Sequence, residues 1–159
     1  MAPETGTRPE ECNCLAVRQA ARHVTQFYDQ YLAPIGLRTT QFSILAKLRR
    51  MGPMTINALA ADLVMDRTTL GRNILPLERE GLIAVTKGSL DRRAKELNLT
   101  QAGIERFRAG IKEWAKAQVR FESVYGSKRA AELRGLLRAV VASPLETPPA
   151  SGAAASGSP

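Results

Sequence analysis

The sequence predicts a mainly α-helical protein with a small β wing, and three observations carry that prediction. Apolar residues recur at steps of three and four along most of the 159-residue chain, which is the spacing of amphipathic helices. A turn at residues 62–65 separates two short helical patterns near the middle of the chain. Beyond them, two runs alternate apolar and polar residues on either side of a basic loop, as the strands of a hairpin do.

The N-terminal third predicts an arm and two helices. Residues 1–11 are expected to be disordered, and residues 15–32 form a long helix with one broad apolar face. Pro34 and Gly36 end this helix. Thr40 is expected to cap the next helix, residues 41–51, whose inward positions are Phe42, Leu45 and Leu48.

Residues 55–79 predict two helices joined by the tight turn. Thr55 is a plausible N-cap of the first helix, because its hydroxyl can accept a hydrogen bond from an unpaired backbone N–H. Asp66 can cap the second helix and also interacts favourably with its positive end. The inward positions of the first helix are Ile56, Leu59, Ala60 and Leu63, and those of the second are Leu70, Ile74 and Leu77.

The second of these helices leaves a polar set pointing outward near its N-terminus. Arg binds guanine bidentately, Asn binds adenine, and Thr offers both a hydroxyl and a methyl group. A major groove admits one helix that carries such residues. A solvated helix face is polar in any case, so this set alone does not decide for DNA. The candidate base-reading residues are Arg67, Thr68, Thr69, Arg72 and Asn73.

A basic hairpin follows and strengthens the DNA interpretation. Ile83 and Val85 alternate on one strand, and residues 97 and 99 do so on the other. A cationic loop beside a recognition helix can follow the phosphate backbone and enter a narrow minor groove. Asp91 can hold the Arg93 guanidinium by a bidentate pair, although a plain surface ion pair is the alternative. The candidate wing contacts are Lys87, Asp91, Arg92 and Arg93.

The C-terminal third predicts two more helices and a tail. Thr100 caps a helix that runs to about residue 125, Gly126 breaks it, and Ser127 caps the last helix. The apolar positions of both helices alternate steps of three and four, as in a helix–helix seam. Residues 12–33 and 100–142 are therefore expected to form a dimerisation platform around a DNA-binding unit at 40–99, the alternative being that they only cover this unit within one chain. Residues 143–159 are expected to be disordered.

Composition limits the possible functions. The net charge of +8 favours an anionic partner, but its excess is divided between the hairpin region and the C-terminal helices. No apolar run is long enough to span a membrane, and the N-terminus lacks the features of a secretory signal. We therefore expect a cytoplasmic protein without a membrane partner. With one histidine, no paired acids and no phosphate-binding glycine loop, it is not expected to be an enzyme.

Cys12 and Cys14 are the only cysteines, and His23 is the only histidine. Their number and spacing do not fit a structural zinc site, so no metal and no cofactor are expected. The two thiols are a candidate oxidant sensor. The alternative is two reduced thiols at the start of a helix in a reducing cytosol.

Residues 12–141 resemble the MarR-type transcriptional regulators, whose DNA-binding unit is a winged helix-turn-helix. That family commonly carries a proline where Pro76 falls inside the second helix, so the helix is kept and a bend is expected near Arg72. The family's D-x-R element lies in the wing, close to DNA, with its Asp and Arg in contact. The matching segments are Asp66-Arg67-Thr68-Thr69-Leu70, Pro76-Leu77-Glu78-Arg79-Glu80-Gly81-Leu82-Ile83, and Asp91-x-Arg93 followed by Leu99-Thr100-x-x-Gly103.

The resemblance implies a homodimer that binds double-stranded DNA at a near-palindrome and acts as a repressor, less often as an activator. It also implies a small-molecule effector, such as an aromatic acid, a phenol or an acyl-CoA, in a cleft beside the platform. Two other functions stay open: a thiol-based redox regulator on Cys12 and Cys14, and a non-specific architectural DNA-binding protein. The candidate effector residues are Arg18, Arg22, His23, Tyr28 and Trp114, whereas Phe27 and Tyr31 are favoured as core.

Overall fold

A computed structural model describes residues 8–145, which comprise six α-helices, three short strands and two 3-10 turns. The predictions for residues 1–7 of the arm and 146–159 of the tail lie outside the described residues. Pro9–Glu11 and Ala33–Ile35 form the 3-10 turns. The elements are α1 (Asn13–Leu32), α2 (Thr39–Met51), β1 (Met54–Thr55), α3 (Ile56–Asp62), α4 (Arg67–Arg79), β2 (Ile83–Lys87), β3 (Lys95–Leu99), α5 (Gln101–Tyr125) and α6 (Ser127–Ala142).

The sheet has three antiparallel strands in the order β1-β3-β2. The predicted hairpin is confirmed, because Ile83 pairs with Leu99 and Val85 with Leu97. The sequence did not predict β1, whose Met54 pairs with Leu97. A strand of two residues is too short to show an alternating pattern, so no periodicity could reveal it.

The hydrophobic core lies between α2, α3, α4 and the sheet, within the compact unit that ends at residue 119. Leu32 and Leu37 bring the end of α1 and the following loop into this core. Each buried aliphatic side chain contributes roughly 1.5–3 kcal/mol, so this cluster fixes the position of α4 against the sheet. The predicted inward residues of the three central helices are confirmed as buried at Phe42, Leu45, Leu48, Leu59, Ala60, Leu70, Ile74 and Leu77.

Three of the predicted helix caps are confirmed. The Thr55 hydroxyl accepts the N–H of Ala58 at 3.1 Å, and the Thr100 hydroxyl accepts that of Gly103 at 3.0 Å. Asp66 accepts the N–H of Thr69 at 2.8 Å. Each contact satisfies a backbone donor that has no partner within the helix.

Two predicted caps are wrong. Thr40 lies inside α2, which begins at Thr39, because the Asp29 carboxylate accepts the Thr39 N–H at 2.6 Å and starts the helix earlier. Ser127 is the first residue of α6, and the cap position belongs to Gly126 with φ of 98°. Glycine takes that backbone angle without steric cost, so the chain turns one residue before the serine.

Residues 120–145 form a second compact unit. Within it, the Phe121 and Tyr125 rings lie 5.4 Å apart, and the Arg129 guanidinium lies 4.5 Å from the Tyr125 ring centroid. Arg134 pairs with Glu122 at 3.1 Å. None of the helices in residues 8–145 combines the length and apolar character that crossing a membrane requires.

Candidate nucleic-acid interface

The N-terminus of α4 is held by a double contact between Asp66 and Thr69. The Thr69 N–H donates to Asp66 Oδ1 at 2.8 Å, and the Thr69 hydroxyl donates to Asp66 Oδ2 at 2.6 Å. The hydroxyl contact, followed by the backbone contact, lowers the pKa of the Asp66 carboxyl below its ordinary value. The carboxylate therefore stays charged at neutral pH and fixes the first turn of the helix.

The predicted base-reading residues all lie on α4, but they are not equally available. Arg67, Thr68, Thr69 and Arg72 are exposed, whereas Asn73 is half-buried. The Asn73 amide donates to the Thr69 carbonyl at 2.8 Å, within its own helix. Its second N–H and its carbonyl oxygen can still meet a base without breaking that contact.

The turn between α3 and α4 contains a strained residue. Val64 has a φ of +51°, which a β-branched side chain rarely adopts. The turn is closed by the Met65 N–H, which donates to the Ala60 carbonyl at 2.8 Å, and by a Lys47–Asp62 ion pair at 2.6 Å. These contacts fix the direction in which α4 leaves α3.

The wing loop, residues 88–94, is closed by its own backbone. The Gly88 N–H donates to the Ala94 carbonyl at 2.8 Å, and the Ala94 N–H donates to the Asp91 carbonyl at 3.0 Å. Gly88 is required here, because a Cβ at this position would overlap the carbonyl oxygen of Asp91. The Glu96 carboxylate accepts both the N–H and the hydroxyl of Ser89 at 3.2 Å, so β3 also holds the loop.

The predicted bidentate pair of Asp91 and Arg93 needs correction. Asp91 Oδ1 accepts the backbone N–H of Arg93 at 2.9 Å, and none of the ion pairs among residues 8–145 joins the two side chains. A short carboxylate reaches the backbone two residues ahead more readily than a long guanidinium folds back. Asp91 thus holds the backbone of the loop and does not fix the orientation of the Arg93 guanidinium.

The wing loop presents cations and one apolar side chain. Lys87, Arg92 and Arg93 are exposed, as the sequence predicted. Leu90 lies between them and is fully exposed, at 101% of its reference area. Sequence reasoning missed it, although a leucine among turn-forming and charged residues is itself an unusual signal.

Side chains of α5 hold the far end of α4. Arg106 Nη1 donates to the Ile35 carbonyl and to Glu80 Oε2, both at 3.2 Å. The Thr100 hydroxyl donates to the Gly81 carbonyl at 2.6 Å, directly after α4. These contacts connect the start of α5 to the end of α4, and no pattern in the sequence predicts them.

The candidate effector residues fall into two groups. Arg18, Arg22 and His23 are exposed on α1. Tyr28 is half-buried, and its hydroxyl donates to Gln118 Oε1 of α5 at 2.6 Å. Trp114, 38% exposed, stacks at 6.4 Å on Phe42. Aromatic rings and a polar pair therefore lie together where α1 and α2 face α5.

Phe27 and Tyr31, which the sequence analysis favoured as core residues, are only half-buried, and their rings lie 5.3 Å apart.

The two cysteines are exposed at the start of α1. Cys12 is the N-cap residue, and its sulfur accepts the Leu15 N–H at 3.4 Å. Cys14 lies in the first helical turn. Between residues 8 and 145, the structure brings together no group of three or more His, Cys, Asp or Glu side chains that could hold a metal ion.

The chain is similar to several transcriptional regulators. A family model described as the MarR family matches residues 37–95. An uncharacterised HTH-type transcriptional regulator of Bacillus subtilis strain 168, YwoH, is 32% identical over 91 residues, which are 57% of this chain and 66% of YwoH. The matched stretch thus spans just under two thirds of that protein.

Solved structures extend the similarity to most of the chain. The Mycobacterium tuberculosis transcriptional regulator MosR, crystallised with DNA, is 35% identical with a TM-score of 0.71, over 83% of this chain and 98% of MosR. The transcriptional repressor CouR, bound to a DNA duplex, is 25% identical with a TM-score of 0.75, over 83% of this chain and 94% of CouR. On its helix-turn-helix, its three-stranded sheet and these similarities, the chain belongs to the MarR family of winged helix-turn-helix transcriptional regulators.

Proposed function

We propose that this chain is a sequence-specific DNA-binding regulator that acts as a homodimer, as a repressor, on a near-palindromic operator. The observation that carries this proposal is the exposed polar N-terminal face of α4, fixed by Asp66 and flanked by a closed basic loop. The DNA-bound structures of MosR and CouR support the choice of double-stranded DNA as the partner.

In this proposal α4 enters a major groove and the wing loop lies over the adjacent backbone. Arg67 and Arg72 supply forked donors that match guanine, and Thr68 supplies a hydroxyl and a methyl group. Lys87, Arg92 and Arg93 neutralise phosphates, which adds affinity on every sequence and makes binding fall as salt rises. Two copies of α4 meet half-sites whose centres lie about 34 Å apart, one turn of DNA.

Exposed apolar side chains support the homodimer. Leu136, Leu137 and Val140 of α6 are 67%, 42% and 49% exposed, on a helix whose one buried residue is Ala130. Leu15 and Val17 of α1 are exposed as well. An amphipathic helix that keeps its apolar residues in water needs a partner, and a second copy of this chain supplies matching helices.

Effector control is the second part of the proposal. The half-buried ring of Tyr28 and the exposed ring of Trp114 offer flat apolar surfaces. Arg18, Arg22 and His23 offer positive or polar groups on the same helix as Tyr28. This chemistry suits an aromatic acid, a phenol or an acyl-CoA. A ligand that binds one conformation of the dimer more tightly, when DNA binds another, lowers the affinity for DNA. The size of the loss is set by how differently the ligand binds the two conformations.

The deciding experiment is selection of the purified chain against a library of random duplexes at near-physiological salt. An inverted repeat with half-site centres one helical turn apart is the expected result. Binding that recovers no motif and collapses as salt rises would instead indicate an architectural DNA-binding protein. The recovered duplex then serves as the probe for screening effectors.

Oxidant sensing is a second candidate function, favoured by the position of Cys12. Its sulfur caps α1, and both thiols are open to solvent. A peroxide that oxidises the two thiols to a disulfide is itself reduced to water or an alcohol, and the new bond removes the Cys12 cap from the helix. Release of the selected duplex by peroxide should disappear in Cys12→Ser and in Cys14→Ser, whereas release by an effector should persist.

A further inference from the structure

We infer that Leu90 is an apolar minor-groove contact, which gives the wing a preference for A·T-rich flanks that does not depend on salt. This inference rests on the proposed function and adds to it a residue and a chemistry of recognition. Cationic wing residues explain affinity for phosphates, but a leucine at the tip adds nothing to that attraction.

The first argument is exposure. Leu90 is the most exposed of the large hydrophobic side chains in residues 8–145, at 101% of its reference area. The loop that carries it is small and highly polar, with Ser89 and Asp91 as its neighbours. Leaving a leucine side chain exposed to water is unfavourable, and a bound DNA that covers this side chain would remove its apolar surface from water.

The second argument is that the loop is built to project this side chain. The Gly88–Ala94 and Ala94–Asp91 backbone contacts close the base of the loop, and Glu96 holds Ser89. Gly88 allows this closure, because a Cβ would overlap the Asp91 carbonyl. Leu90 thus has no neighbour to fold onto and points away from a rigid base.

The third argument is the fit between this tip and a minor groove. That groove is about 6 Å wide, which excludes a helix but admits a single side chain. Apolar side chains that enter it lie against sugars and base edges. The 2-amino group of guanine occupies the floor of a G·C groove, so an apolar tip fits A·T pairs better. The exposed cations Lys87, Arg92 and Arg93 would hold the strands on either side.

The test compares wild type with Leu90→Ala on three duplexes of equal length, with alternating A·T, I·C or G·C pairs, over a range of salt. An I·C pair lacks the guanine 2-amino group, so its minor groove resembles that of A·T while its major groove does not. We expect Leu90→Ala to weaken binding to the A·T and I·C duplexes by roughly fivefold to tenfold. The G·C duplex should be unaffected, and the slope of log affinity against log salt should stay the same.

Leu145→Ala is the matched control, since Leu145 is also a strongly exposed leucine, at 81%, and lies outside every helix and strand. It should bind all three duplexes as wild type does. Leu90→Lys should steepen the salt slope and lose the preference for A·T and I·C. Unchanged binding of Leu90→Ala, or an equal loss on all three duplexes, would overturn the inference while leaving the proposed function intact. A wild-type chain that binds none of the three duplexes would overturn the inference, and one that also binds no duplex of the random library would overturn the proposed function.

Discussion

Single residues at the two ends of one short turn determine how the recognition helix is presented. Asp66 holds the first turn of α4 through Thr69, and Val64 directs the chain out of α3 with a backbone angle that valine disfavours. Both residues are solvent-exposed, so their contributions come from backbone geometry and charge and not from packing. Both can therefore be tested without disturbing the core.

The Asp66 cap should make the stability of the folded protein depend on pH. Because hydrogen bonds from Thr69 lower the pKa of Asp66 in the folded state, its contribution is complete above the unfolded value of 3.8 and is lost as the pH falls through the lower folded pKa. Asp66→Ala should therefore unfold at a lower temperature than wild type at pH 7. The gap should narrow below pH 3.8, as measured by circular dichroism.

Asp66→Asn is the control for this prediction. Asparagine keeps the cap but cannot titrate, so its difference from wild type should be smaller at pH 7 than that of the alanine variant. A gap between wild type and Asp66→Ala that stays constant from pH 7 to strongly acid conditions would contradict the assignment of the effect to the carboxylate.

Val64 predicts a stabilising substitution. Non-glycine residues in the left-handed region cost roughly 1–2 kcal/mol, and asparagine tolerates that region far better than a β-branched residue. Val64 is 71% exposed, so little packing is lost. Val64→Asn should therefore raise the free energy of unfolding by about 1 kcal/mol in urea titrations. Val64→Ala, which keeps a Cβ at the same angle, should gain less than half of that.

At the scale of elements, the sequence predicted most of what periodicity encodes. Apolar residues recur with a period of 3.6 residues in the helices around the core and of 2 residues in the paired strands. The inward faces could therefore be predicted, as at Leu70, Ile74 and Leu77. The features that the sequence did not predict come from contacts between segments far apart in the chain. Asp29 starts α2 at Thr39, and Arg106 joins α5 to Glu80, although 26 residues separate the two. No local pattern records such pairs.

The candidate site was predictable to the same extent. Residue types and helical spacing identified the polar face of α4 and the cations of the wing. The sequence could not show that Asn73 bonds back to Thr69, or that Asp91 holds the backbone of Arg93 and not its guanidinium. Those outcomes depend on which of several nearby donors and acceptors a short side chain contacts in the folded chain.

The recognition helix and the wing predict different responses to substitution. If Arg72 reads a base as proposed, Arg72→Ala should relax sequence preference and cost about 1–3 kcal/mol on the selected duplex. If Lys87 contacts a phosphate as proposed, Lys87→Ala should weaken all sequences alike and reduce the salt slope by about 1. Fluorescence anisotropy with the selected and a scrambled duplex separates the two. Equal losses for both variants on both duplexes would refute the assignment of base reading to Arg72.

Two helical glycines, Gly103 of α5 and Gly135 of α6, should respond in opposite ways to substitution by alanine. A Cβ at Gly103 would overlap the Leu82 carbonyl, which also accepts the Thr100 N–H, and would crowd Leu99 Cδ1 at 2.8 Å. Gly103→Ala should therefore lower the free energy of unfolding by about 1–3 kcal/mol. Gly135 in α6 has open space around it, so Gly135→Ala should raise stability by up to about 1 kcal/mol through helix propensity. Chemical denaturation measures both, and a stabilised Gly103→Ala would contradict the tight approach of α5 to Leu82.

At the scale of the whole molecule, polar and apolar exposed side chains are divided between different helices of residues 8–145. The exposed residues of α4 are mainly Arg, Thr and Glu, whereas α6 exposes Leu136, Leu137, Val140 and Val141. Monomeric proteins seldom keep such an apolar stripe in water. A regulator that reads two half-sites needs its two helices held at a fixed spacing, and a shared helical interface can provide this.

This division predicts that stability, oligomeric state and DNA binding change together. Leu137→Glu places a charge within the apolar stripe of α6, where a dimer interface would have to desolvate it. The variant should sediment as a monomer, and its unfolding temperature should lose the concentration dependence that an associating wild type shows. Affinity for the selected two-half-site duplex should fall by at least tenfold, because each α4 would bind without its partner. Leu145→Glu, at an exposed leucine beyond the helix, should behave as wild type. If Leu137→Glu remains a dimer with full affinity, the stripe serves another purpose and the spacing of the recognition helices is set elsewhere.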